Sequence, residues 1–173
     1  MTFRSASLIA IAGLAAGCAG LPGSGPRATA MLAPTADNSA AGSITFVQAG
    51  SKVLVRGEVR GLTPNAQHGF HVHEKGDCSS GDGMSAGGHF NPGAQPHGRH
   101  AAGMHHAGDL PSLQADGSGV ARFSFESATI AVGSGATDVI GKGLIVHRDA
   151  DDFSTQPTGN AGPRLACAVI ARS

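Results

Sequence analysis

Tryptophan and tyrosine are absent from these 173 residues, and charged residues make up only 14%, against roughly 25% in an average domain. Basic and acidic residues balance at 12 each, for a formal net charge of zero. That balance excludes nucleic-acid binding driven by bulk positive charge. Long apolar runs are also missing. The run at residues 6–16 falls short of the roughly 20 residues a membrane-spanning helix needs. No stretch holds a helical period for any length and no segment repeats, so a helical bundle or repeat array is excluded. What is abundant is glycine, with 27 residues. Many glycines, little charge and short β-branched runs together point to strands joined by tight turns.

Residues 1–17 read as an export signal. Arg4 precedes the apolar run, and small residues follow it. Leu14-Ala15-Ala16-Gly17-Cys18 resembles a bacterial lipobox, in which the cysteine becomes the first mature residue and carries lipid. It departs from that pattern in one respect, with Ala15 standing where leucine is usual. The alternative is a plain secretory cut near residues 28–30, which lies far beyond the apolar run. The expected organisation is a lipoprotein-type signal peptide at 1–17, a flexible Gly/Pro/Ser-rich tether at 18–27 and one domain at 28–173. The chain has three cysteines. If Cys18 is lipidated, Cys78 and Cys167 remain as a pair, and in an oxidising compartment they form a disulfide.

Strands are expected at residues 28–32, 42–48, 52–60, 67–74, 119–126, 144–147 and 165–171. Residues 75–113 form a long stretch rich in Gly, His and Pro, and 149–163 form a second. Loops of that length in a compact domain usually carry function. Short strands with glycine-rich turns imply an antiparallel sandwich or barrel, with the chemistry on the loops.

Seven side chains have metal-ligand chemistry and suggestive placement: His71, His73, His89, His97, His106, Asp109 and His147. They are too many for one tetrahedral site and fit two sites that share a ligand. His71 and His73 stand two apart on a strand, so they face one side while Phe70 and Val72 face the core. His147 follows an apolar strand run. His89, His97, His106 and Asp109 supply three nitrogens and a carboxylate, a set that suits tetrahedral zinc. If His89 binds through both ring nitrogens, copper takes His71, His73, His89 and His147, and no ligand is left over.

Five segments, 69–74 (GFHVHE), 85–92 (SAGGHFNP), 106–110 (HAGDL), 146–152 (VHRDADD) and 159–167 (GNAGPRLAC), together resemble the copper/zinc superoxide dismutases. The resemblance runs over about residues 28–172. Residues 75–78 (KGDC) and the export signal are similar to the bacterial, periplasmic branch. The resemblance implies an all-β fold, an eight-stranded antiparallel Greek-key barrel. It implies one copper and one zinc per subunit, with His89 bridging them. Asp151 would link ligands of the two metals, and Cys78–Cys167 would pin the loop to the last strand. Arg164 would attract the anionic substrate, superoxide, and with His89 would carry the catalysis. Pro163 departs from the small residue usual before that arginine, but it biases Gly162 rather than Arg164. The implied localisation is the periplasm, with membrane contact only through lipid on Cys18, as a monomer or homodimer.

The remaining histidines read more plainly. His68 is expected to be a structural hydrogen-bonding residue, and His100 and His105 exposed loop residues. Glu74 and Asp77 are assigned to surface or turn roles. Lys75, Lys142 and Arg148 are candidates for steering substrate, against the equal alternative of solvated surface charge. Two other functions fit the same residues in principle: a non-catalytic copper chaperone or buffer, and an interaction protein stabilised by zinc alone. The first would lack a copper ligand or the arginine, and the second would leave three histidines without purpose.

Overall fold

Strands β1 (Arg27–Pro34), β2 (Ala41–Ala49) and β3 (Lys52–Arg60) form an antiparallel meander in the computed structural model, which describes residues 25–173. The expected signal peptide, Cys18 and nearly all of the expected tether therefore lie outside the described residues. Two short strands, β4 (Gln67–His68) and β5 (Phe70–His73), follow, then β6 (Leu113–Gln114), β7 (Ala121–Ser127), β8 (Gly143–His147), β9 (Arg164–Val169) and β10 (Ala171–Arg172). The sheet order is β5-β8-β9-β1-β2-β3-β7, with β10 also on β1. All named strand pairs are antiparallel. β4 pairs with β6, which lies beside β7. The connections from β3 to β4 and from β7 to β8 cross between non-adjacent strands, and the sheet curls round one core as a Greek-key barrel. The all-β expectation holds, and the only helical element among the described residues is a 3-10 turn at Met84–Ala86.

Alternation explains the meander. Val53, Val55 and Val59 of β3 and Ile44 and Phe46 of β2 are fully buried, while Lys52, Arg56 and Arg60 face outward. They close on Phe70, Val72, Leu144 and Val146 from the other side of the barrel. Two strands expected to be continuous are broken. The 67–74 strand divides at Gly69, whose amide donates to the Asp149 carbonyl and whose own carbonyl accepts from the His147 amide. A Cβ there would lie 2.8 Å from that of Ala161, so glycine admits this close approach. The 165–171 strand divides at Ile170, whose amide and carbonyl pair with the turn at 141–142 instead.

In β5 and β8 every residue is buried, on both faces. The core covers one face and the two long loops cover the other. The loop at 75–112 also occupies the edge of β5 that β8 leaves free. Its two arms exchange backbone hydrogen bonds with β5: Phe90 N to Val72 O, Val72 N to Gly108 O, Glu74 N to Gly88 O and Leu110 N to Phe70 O. These bonds set His89 against His73 and Asp109 against His71 in backbone register. Cys78 and Cys167 are joined, with Cα atoms 5.8 Å apart, which ties the start of the same loop to β9.

Candidate metal centre

His71 and His73 point from one face of β5 into the layer beneath the loops, and His147, at the end of β8, points into the same layer. His89 reaches it from the first loop arm. All four are nearly or fully buried. In each ring one nitrogen is fixed by the protein. His71 Nε2 lies 2.7 Å from Asp151 Oδ2, His73 Nδ1 2.9 Å from the Gly87 carbonyl and His147 Nδ1 3.0 Å from the Gly162 carbonyl. His89 Nδ1 lies 2.9 Å from Asp109 Oδ1. The other nitrogens, His71 Nδ1, His73 Nε2, His89 Nε2 and His147 Nε2, are buried without any hydrogen-bond partner. Orphaned buried polar atoms are rare and costly, and here four converge, with ligand atoms all within 4.8 Å of one another. Burial, reinforced by neighbouring imidazoles, lowers the pKa of His89 to about 4 and that of His147 to about 3, and moves His73 in the same direction. These rings are neutral at physiological pH, the state in which a ring nitrogen can donate to a metal.

The second cluster shares His89. Around Asp109 Oδ1 stand His89 Nδ1 at 2.9 Å, His97 Nδ1 at 3.1 Å and His106 Nδ1 at 3.2 Å, and the nitrogens of His89 and His106 are 3.3 Å apart. Zinc with ligands at about 2.0–2.1 Å is enclosed by a tetrahedron of edge roughly 3.3–3.4 Å. The spacings therefore match ligands crowded round one ion. His97 Nδ1 supports this, since it makes no hydrogen bond to Asp109 despite its proximity. Asp109 Oδ2 is used separately, accepting from the amides of Gly98 and His106, which fixes the carboxylate plane.

Asp151 spans the two clusters. Its Oδ2 meets His71 Nε2 and its Oδ1 meets His97 Nε2 at 2.8 Å. Burial works against its charge, but the bonds from these two rings hold its pKa well below the usual carboxylate range. Gly159 packs on this bridge at φ +67, where a Cβ would fall 2.0 Å from Asp151 Oδ1. The first cluster opens outward beside His73, His89 and His147, into a depression of about 550 Å³. Half-buried Arg164 lines it, its guanidinium donating to the carbonyls of Gly83 (2.7 Å) and Gly87 (2.6 Å).

A profile of the copper/zinc superoxide dismutase (SODC) family matches residues 40–170. The chain belongs to the copper/zinc superoxide dismutase family. A superoxide dismutase [Cu-Zn] of Paramecium bursaria Chlorella virus 1 is 42% identical over 135 residues, covering 75% of this chain and 71% of the viral protein. An extracellular superoxide dismutase [Cu-Zn] of Brugia pahangi is 38% identical over 156 residues, covering 84% and 77%. The crystal structure of the clock protein EA4 superposes with a TM-score of 0.76 at 41% identity, covering 84% of this chain and 93% of that one.

Every candidate ligand expected from the sequence is thus brought into one or both of two clusters that could hold a metal ion, with Asp151, Arg164 and the Cys78–Cys167 disulfide around them. His68 is structural, as expected, with Nδ1 bonded to the His147 carbonyl. Two expectations are corrected. His105 is buried, with Nδ1 2.7 Å from the His106 carbonyl, and His100 is half-buried. His100 bonds the Asp109 carbonyl and packs against Phe125, so the pair fastens the loop to β7 rather than facing solvent. Lys75, Lys142 and Arg148 do not line the depression. Arg148 is paired with Asp149, and Lys142 lies over the Phe90 ring. What the sequence did not reveal is the part played by the β1–β2 turn. Thr35, Ala36, Asp37 and Asn38 form one wall of the depression. No motif marks that turn, whose Thr35 hydroxyl bonds the Arg164 carbonyl across 129 residues of chain.

Asp151→Ala removes the hydrogen-bond acceptor from one ring of each cluster. Affinity for both metals is expected to fall by about 10–100-fold, measured by competition with a chelator of known affinity. A loss confined to one metal would mean that Asp151 serves only one cluster.

Proposed function

We propose that this protein converts two superoxide ions and two protons to dioxygen and hydrogen peroxide, with copper held by His71, His73, His89 and His147 and zinc held by His89, His97, His106 and Asp109. The observation that carries the reading is the convergence of four buried, unpartnered imidazole nitrogens beside an opening lined by one arginine. Copper, when bound, supplies the one-electron redox change common to both half-reactions, while zinc supplies fixed charge without redox chemistry.

The chain's own residues do the rest. Arg164 keeps its charge at any working pH and presents it beside the cluster, where a small anion is drawn in. Its two carbonyl anchors hold the guanidinium in place before substrate arrives, so little ordering remains to be done on binding. His89 Nε2 faces the same opening, whereas its Nδ1 is engaged by the second cluster. Nε2 is therefore the atom that would, when not bound to the metal, take up a proton and pass it to the reduced product. Asp151 and the Gly87 and Gly162 carbonyls keep the other rings in one tautomer, so their lone pairs stay aimed inward. Burial of the rings excludes bulk water from all sides but the opening.

The test is superoxide decay catalysed by the purified protein, with copper and zinc counted on the same sample. Rapid turnover at one copper and one zinc per chain is expected. Full occupancy without turnover would favour a copper chaperone or buffer. Arg164→Ala should lower the second-order rate several-fold or more while copper stays bound, and an unaltered rate would reject anion capture by this residue.

We further propose that the domain at 28–173 is exported to the periplasm, as in the bacterial branch of the family, and held by lipid on Cys18. The disulfide supports an oxidising compartment, and the Brugia relative is named extracellular. Labelled fatty acid should be incorporated into the native chain in the producing cells but not into Cys18→Ser. Equal labelling of the two would reject Cys18 as the acceptor.

A further inference from the structure

Three charged side chains line the depression over the first cluster, Arg164 and two acidic ones, Asp37 and Asp82. Both residues are exposed; the Asp82 carboxylate is held by a backbone amide, and the turn fixes the backbone position of Asp37. Asp82 Oδ1 accepts from the Met84 amide at 2.9 Å, at the start of the 3-10 turn. Asp37 sits at φ 61 in the β1–β2 turn, which is fastened to the disulfide loop through Ala36 N to Gly81 O at 2.7 Å. Neither pairs with a cation across a salt bridge among the described residues, and Lys75, Lys142 and Arg148 lie off this wall. An anion approaching Arg164 therefore meets two exposed carboxylates at the opening, and one of them, Asp82, also acts electrostatically on Arg164 itself.

We propose that Asp37 and Asp82 form an acidic rim that determines which anions reach Arg164, slowing superoxide modestly and excluding multivalent anions more strongly. This rests on the dismutase reading of the same site. The work done against a fixed field scales with the charge of the incoming ion. A rim that slows a monoanion by some factor disfavours a dianion by about the square of that factor. The metals' own charge is common to parent and variant, so it drops out of any comparison between them. A carboxylate on the wall of a solvent-filled opening acts across water over a distance within the roughly 30 Å screening length of 0.01 M salt. Removing one charge then changes the capture rate by about twofold.

The experiment uses the copper- and zinc-loaded protein and follows superoxide decay between about 0.01 and 1 M salt. Asn replaces each Asp with nearly the same shape, and it tolerates the positive φ at position 37. D37N and D82N are each expected to raise the rate about twofold at low salt, and the double variant about fourfold. The gains should vanish near 1 M, where charges are screened within about 3 Å. Inhibition by hydrogen phosphate dianion at low salt should tighten about fourfold in each single variant. E126Q makes the same change in net charge on β7, away from the opening, and should gain clearly less than either. The proposal is overturned if fully metallated D37N and D82N show no gain at low salt, if the gain persists undiminished at 1 M, or if E126Q matches them. Unchanged phosphate inhibition would also overturn it. A fully metallated parent without turnover would instead overturn the dismutase reading, and this proposal with it.

Discussion

A buried imidazole has two nitrogens to satisfy, and this protein satisfies one of them. At His71, His73 and His147 the outer nitrogen is bonded to a carboxylate or a backbone carbonyl, and the inner one is left without a partner. Leaving a buried polar atom unpaired costs roughly 1–3 kcal/mol. The cost is borne several times within a few ångströms, and metal coordination is what offsets it. The burial responsible comes from the loops that cover β5 and β8, so the loops are as much a part of the ligand chemistry as the rings.

This arrangement explains why the loops are so firmly tied to the barrel. The arms of the first loop continue the sheet along the free edge of β5, placing His89 and Asp109 by backbone register rather than by side-chain packing. The Gly87 carbonyl accepts from both His73 Nδ1 and the Arg164 guanidinium. One peptide oxygen thereby sets the position of a ligand and of the anion-facing charge together. The disulfide holds the start of that loop to β9, the strand that carries Arg164. Movement of the loop would misplace ligand and arginine at once.

The sequence disclosed what depends on local period and spacing. Valines alternating with charged residues in β3 marked a half-buried strand, and histidines two apart in β5 marked a shared face. It did not disclose what depends on distant pairing. The breaks at Gly69 and Ile170 arise because neighbouring segments offer better backbone partners. His100 and His105 look like solvent-facing residues in a polar loop, but the loop is a packed cover and they lie on its inner side. The Thr35–Asn38 turn has the composition of any surface turn, and only its closeness to Arg164 gives it meaning.

The same limit applies to charge. A formal net charge of zero describes the chain, not the opening. Of the cations the sequence offered for steering, Arg148 is paired with Asp149 and Lys142 is drawn over an aromatic ring. The charges that remain at the mouth are one arginine anchored by carbonyls, one aspartate bonded to a backbone amide and one carried on a turn. Exposed charges separated by more than a screening length hardly interact, so the field an incoming anion meets is set by these three and by the buried centre beneath them. None of the three is closed into a salt bridge, although Asp82 and Arg164 feel one another's charge, so all three still act on an incoming anion. A neutral protein can in this way maintain a strongly structured local field, because position decides the field and composition does not.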